Sequence, residues 1–215
     1  ILRCLVGSEM CIRDRVRIAL NLKQIDHTLL PIHLIRDGGE HKQTDYQTHN
    51  PEGLVPALFT EDRVLSQSLA ILEYLDETYP TPALLPSNAL DRAYVRGLAL
   101  SICCDIHPLN NLRVLQYLSG ELQVSDAQKQ AWYQHWIATG FTALESRLAN
   151  DAATGEFCFG DSPSLADLCL VPQVYNANRF NCPLDDYPTI RRINERCLQE
   201  PSFSQAAPEN QPDAE

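Results

Sequence analysis

The sequence predicts an α/β domain followed by an all-helical domain, and three observations carry that expectation. Up to about residue 80, helical and strand-like apolar patterns alternate. From Leu90 onward only helical spacing recurs. Between the two lies Thr81-Pro82-Ala83-Leu84-Leu85-Pro86, a proline-punctuated stretch suited to a domain boundary. The expected domains are residues 1–80 and 87–215.

In the first part the expected order is strand, helix, strand, proline turn, hairpin, helix. Val16, Ile18, Ala19, Leu20 and Leu22 form a short helical face. His27 to Ile35 reads as a strand, and Pro31, which cannot donate to a ladder, points to an edge or an irregular start. Ala57–Thr60 and Val64–Leu65 flank Glu61-Asp62-Arg63, the pattern of a hairpin. Gln67 to Tyr79 is a helix stopped by Pro80. In the second part Leu90 to about Leu118 has helical spacing, kinked or divided by Pro108. Ser125 to Asn150 follows, with Trp132, Trp136, Phe141 and Leu144 expected on its inner side. Ser164 reads as an N-cap with Asp167 reaching back to it, opening a buried helix over Leu165–Val174. Pro188 starts a last helix to about Gln199.

Composition narrows the function. A net charge of −11 and a pI near 4.9 argue against a nucleic-acid binder and against an anionic membrane surface. A small acidic substrate would need a local basic pocket. The eight cysteines form no CxxC and no zinc-finger spacing with histidine, so no metal site is expected. They suit a reduced, cytoplasmic protein. No apolar run approaches the roughly 20 residues of a membrane span.

The most informative stretch is Asn50-Pro51-Glu52-Gly53-Leu54-Val55-Pro56, followed by Gln67-Ser68. A cis Val55-Pro56 bond would turn the Val55 amide and carbonyl from the sheet toward an extended, peptide-like ligand. Ser68 and backbone amides at a helix N-terminus suit a carboxylate. Together they outline a site for a small peptide with a free carboxylate. Farther on, the spacing of four in His107-Pro108-Leu109-Asn110-Asn111 puts His107 and Asn111 on one face. Arg113 follows in that cluster, and Arg179 comes after the buried helix; an arginine matches a carboxylate bidentately.

These segments, with RVRIALNLK (15–23), LSQSLAILEYLDETYP (65–80), DIHPLNNLRVLQYL (105–118) and SLADLCLVPQVYNANRF (164–180), resemble the glutathione transferases. They resemble most the zeta class, which includes maleylacetoacetate and maleylpyruvate isomerases. The resemblance implies a thioredoxin-like N-terminal domain, a helical C-terminal domain, a homodimer and an active cleft between the domains. It implies glutathione as cofactor, with Val55 and Pro56 holding its cysteinyl part and Gln67 and Ser68 its γ-glutamyl carboxylate. His41 would meet the glycyl end, and His107 and Asn111 would add contacts. Arg113 and Arg179 would serve a small dicarboxylate substrate, Arg179 gripping its carboxylate. The implied reaction is cis–trans isomerisation of a maleyl acid, with the glutathione thiolate adding, allowing rotation and leaving. The same grip would serve a transferase or dehalogenase of small α-halo acids; a catalytically silent glutathione-binding module is the third reading.

One region departs from the family. Its Ser-x-Cys-like motif before the first helix falls on Met10, Cys11 and Ile12, so Cys11 is one residue out of register. On a helix that rotates a side chain by about 100°. The preceding CLVGSEMCIRDR is read as an artefactual replacement of the natural start, predicting a poor first strand and weak catalysis.

Overall fold

The computed structural model describes residues 2–7, 14–34 and 36–210. The chain divides into two compact units: one runs up to Leu84 and resumes at Leu198, the other spans Leu85–Cys197.

In the first unit, strands β1 (Leu2–Gly7), β2 (His27–Ile32), β3 (Ala57–Phe59) and β4 (Val64–Ser66) form a mixed sheet in the order β2-β1-β3-β4. β1 runs parallel to β2 and antiparallel to β3, so helix α1 (Asp14–Leu22) is the crossover between the parallel pair. Pro31 lies on the edge strand opposite Val6, where a missing ladder donor costs least. The expected poor first strand is not what forms: β1 pairs along all six residues with β2 and carries the fully buried Cys4. Ladder bonds are made by backbone groups, and β1 is paired on both sides, with β2 and with β3.

Helix α2 (Thr44–His49) and helix α3 (Ser68–Thr78) complete this part, with Ile71, Leu72 and Leu75 of α3 fully buried. The buried Lys23 ammonium donates to Asp76 Oδ1 (2.9 Å), Tyr79 O (2.6 Å) and Pro82 O (2.7 Å), which ties the end of α3 and the proline-rich segment to α1. Three acceptors match its three donors, the condition for burying a lysine.

The chain from Leu198 packs with the first unit, a correction to the expected 87–215 domain. α9 (Pro201–Ser204) rests on α1, burying Phe203, and Asn21 Nδ2 donates to Ser202 O at 3.3 Å.

In the second unit the expected kinked helix resolves into four pieces: α4 (Ala89–Leu100), a π-helix (Ser101–Ile106), a 3₁₀ turn (His107–Asn110) and α5 (Leu112–Gly120). Pro108 has no amide for the helical ladder, and Asn111 adopts an extended conformation. α6 (Asp126–Asn150) starts at a capping box between Ser125 and Gln128. Its inner face is Tyr133, Ile137, Phe141, Leu144 and Leu148; Trp132 and Trp136 flank that face half-buried, because the buried stripe sits one position along from the tryptophans. Gly140 lets the end of the π-helix approach α6, since a Cβ there would run into the Ile106 side chain.

α7 (Leu165–Arg179) is buried from Leu165 through Val174. The fully buried Asp167 explains its start. Oδ2 accepts from Ser164 N (2.8 Å) and Ser164 Oγ (2.7 Å), and Oδ1 accepts from Cys158 N (2.8 Å). Burial pushes this carboxyl above the usual carboxylate range, and those hydrogen bonds pull the other way. α8 (Pro188–Leu198) is capped from a distance: Thr189 N and Ile190 N donate to the Glu145 carboxylate at 2.8 and 2.9 Å. No helix among the described residues is long and apolar enough to cross a membrane.

Candidate functional site

The first unit builds a turn and a helix end. The Val55-Pro56 peptide is cis, the case the sequence reading considered for this strand-opening proline. The turn is held from behind: Leu54 O accepts both the Tyr46 hydroxyl and Asn50 Nδ2, the latter at 2.7 Å. Tyr46 and Ala57 form a small core under Val55, Phe59, Ile32 and Val64. Val55 is half-buried and Pro56 buried, so the backbone before β3 is locked from one side.

Gln67 takes a left-handed backbone (φ 69°), costly for a residue with a Cβ and tolerated where surroundings impose it. It sets Ser68 at the first turn of an eleven-residue helix, whose N-terminal amides carry partial positive charge. Ser68 is only 5% exposed, and its Oγ accepts a hydrogen bond from Arg15 Nη1 at 3.4 Å. A hydroxyl that accepts from a guanidinium keeps its own proton for another acceptor. Gln67 Nε2 lies 3.5 Å from Glu52 Oε2 at the surface.

His41 sits in a short 3₁₀ turn, Glu40–Lys42, anchored to the end of β2 by Glu40 N to His33 O and His33 N to Glu40 Oε2, both 2.8 Å. Gly39, with φ 103°, lets the turn close; a Cβ there would meet Leu34 O at 2.8 Å and the His41 ring. Burial, then the neighbouring Lys42 charge, lowers the His41 pKa, while a hydrogen bond with the His33 backbone raises it; the balance is downward and favours the neutral ring.

The second unit carries the other cluster. His107 is buried, and its Nε2 lies 3.5 Å from Asn111 Nδ2. The expected common helical face is not what joins them: Asn111 is the extended N-cap of α5, its Oδ1 accepting from Arg113 N at 3.1 Å. Arg113 is exposed beyond the cap. Arg179 is the exposed last residue of α7. The residue after it is firmly held: Phe180 stacks on Tyr133 with ring centroids 3.7 Å apart, and its carbonyl accepts from Gln130 Nε2.

Cys11 lies outside the described residues. Cys4, on β1, is no substitute nucleophile, because burial pushes its thiol up to about 12 against the opposing pull of Arg17. The sequence reading did not single out Arg15, Tyr46 or Glu52, which the structure sets against Ser68, Leu54 and Gln67. A cationic residue opening an apolar helix face is the one signal that marked Arg15.

The donor set suits glutathione. The helix-end amides, the Ser68 hydroxyl and the Gln67 amide fit a carboxylate, and the turn before β3 offers main chain to a peptide.

Comparison with known proteins agrees. The chain matches the glutathione S-transferase N-terminal domain over residues 14–78 and the C-terminal domain over residues 126–192. It is 52% identical over 200 residues to the "Probable maleylacetoacetate isomerase" of Vibrio cholerae serotype O1, covering 93% of this chain and 92% of that one. Among solved structures it superposes with TM-score 0.96 on a holo maleylpyruvate isomerase described as a bacterial zeta-class glutathione S-transferase; the two are 45% identical, and the match covers 99% of this chain and 100% of that one. It superposes with TM-score 0.94 on the maleylacetoacetate isomerase of Methylobacterium extorquens AM1 with bound malonate and glutathione, 39% identical, covering 99% of each chain.

Proposed function

We propose that this chain, which belongs to the glutathione transferase family, is a glutathione-dependent cis–trans isomerase that converts maleylacetoacetate or maleylpyruvate to the fumaryl isomer. The observation that carries the reading is the donor set at the start of α3, joined to about half-identical sequence over nearly the whole length of a relative named for this reaction. When bound, glutathione supplies a thiolate whose reversible addition frees the cis double bond to rotate.

The protein's own residues hold the reactants. Val55, fixed by the buried Pro56 and by the Tyr46 and Asn50 bonds to Leu54 O, offers main-chain pairing to the tripeptide. Ser68 donates its hydroxyl proton and amide to the γ-glutamyl carboxylate, with Gln67 beside it, and Arg15 orients that hydroxyl. His41 receives the glycyl end, and His107 and Asn111 contribute further cofactor contacts. Arg179 grips a substrate carboxylate with its planar fork, and Arg113 adds a second positive charge. A dianionic substrate is thereby drawn to a protein of net charge −11 through local cations. The enzyme is a cytoplasmic homodimer in this reading, as its family implies.

The test is the ultraviolet loss of maleylacetone with and without glutathione. Glutathione-dependent loss with glutathione regenerated supports the isomerase; retention on immobilised glutathione with no turnover rejects it in favour of a binding module.

A further inference from the structure

Cys103 and Cys169 stand 66 positions apart in sequence, yet their Sγ atoms lie 3.6 Å apart in the second unit. Cys169 is fully buried in α7, Cys103 is half-buried in the π-helix, and its neighbour Cys104 is exposed. We propose that Cys103 and Cys169 are an oxidative modification site that closes reversibly into an intrachain disulfide by exchange with a low-molecular-weight disulfide.

Geometry supports the pairing. A disulfide needs an S–S distance of about 2.04 Å, so the sulfurs must approach by about 1.5 Å. The π-helix is the element able to give that movement, because its wide turns depart from the regular helical ladder. α7, buried over most of its length, is the fixed side.

The chemistry balances. The thiolate of Cys103, the less buried of the two, attacks one sulfur of the small disulfide and releases one small thiolate. The Cys169 thiolate then attacks Cys103 Sγ and releases the second. Each protein thiol has lost its proton and together they have given up two electrons; the small disulfide is reduced to two thiols. The closed bond ties the segment immediately before His107 to the helix that ends in Arg179, both within the second unit.

The probe is oxidised glutathione. The full chain is equilibrated across ratios of reduced to oxidised glutathione, alkylated, digested without reduction and mapped by mass spectrometry. The expected product is a cross-linked peptide pair containing Cys103 and Cys169, lighter by two hydrogens, with two of the eight thiols lost and recovered by reductant. The thermal midpoint rises by several degrees, as for a cross-link closing a long loop. Cys103→Ser and Cys169→Ala each abolish the cross-link, and Cys104→Ser retains it. If Cys169→Ala does not fold, Cys103→Ser decides alone. The proposal is overturned if the folded chain shows no cross-link at the most oxidising ratio. It is equally overturned if Cys104 alone is modified, or if Cys103→Ser loses the same thiols. The readout is peptide mapping, so it stands or falls independently of isomerase activity.

Discussion

The Ser68 region and the Arg179 region are held in opposite ways. Ser68 is buried, set by a left-handed Gln67 and hydrogen-bonded to a guanidinium 53 positions earlier in the chain. The turn at Val55 is likewise fixed by a carbonyl that accepts two buried side chains. Arg179 and Arg113 are exposed long side chains, each at the end of a helix that is itself secured. The first region makes its site from backbone and short groups, which cost little entropy to order. In the proposed reading the second would make it from exposed long side chains on a rigid base, which order when they meet a small acid. Substitutions in the first should therefore change binding and stability together, and those in the second should separate them.

The largest effect is expected at the rigid base. Asp167→Ala leaves Ser164 N, Ser164 Oγ and Cys158 N without their buried acceptor and should cost about 3–5 kcal/mol in urea unfolding. A loss near zero would show that α7 is held without this carboxylate. Arg179→Ala should lower kcat/KM for maleylacetone by about 10- to 100-fold, the worth of a charge-assisted carboxylate bond, with unfolding free energy unchanged within about 0.5 kcal/mol. Equal losses of stability and activity would erase the contrast. Ser68→Ala removes the acceptor used by Arg15 Nη1 together with the helix-end hydroxyl, and should weaken glutathione binding by about tenfold in calorimetry while lowering the melting temperature. Glu52→Gln removes a negative charge beside Gln67 and should tighten glutathione only about 2- to 3-fold, an effect that fades as salt is added.

The smallest effect is a pH slope. The folded-state pKa of His41 lies below its ordinary 6.5, so between the two values the unfolded chain binds the extra proton. Stability contributed at this position is present above pH 6.5 and declines as the pH falls from there through the folded pKa. His41→Gln should flatten that part of the stability–pH curve; an unchanged curve would remove His41 as its source.

Much of the architecture was legible because it is written in short-range physics. The cis Val55-Pro56 turn, the β3–β4 hairpin, the stop at Pro80 and the Ser164–Asp167 device each need residues only a few positions apart. Helix α6 was legible in its extent but not in its inner face, where the stripe through Tyr133 and Ile137 prevails over the larger tryptophans. The segment around Pro108 was read as helical spacing kinked or divided by the proline, since apolar spacing does not distinguish an α-helix from the π-helix and 3₁₀ turn found there.

By itself the sequence determined the two kinds of domain, the proline turn, the capped buried helix and the family motifs, all encoded by local spacing and backbone preference. The tertiary structure alone decided that the chain after Leu198 returns to the first unit, that Lys23 ties the proline-rich segment to α1, that Arg15 stands under Ser68 and that Cys103 meets Cys169. The physical reason is common to all four. Periodicity says which face of an element is buried, but the partner that buries it is chosen by packing among residues far apart in the chain.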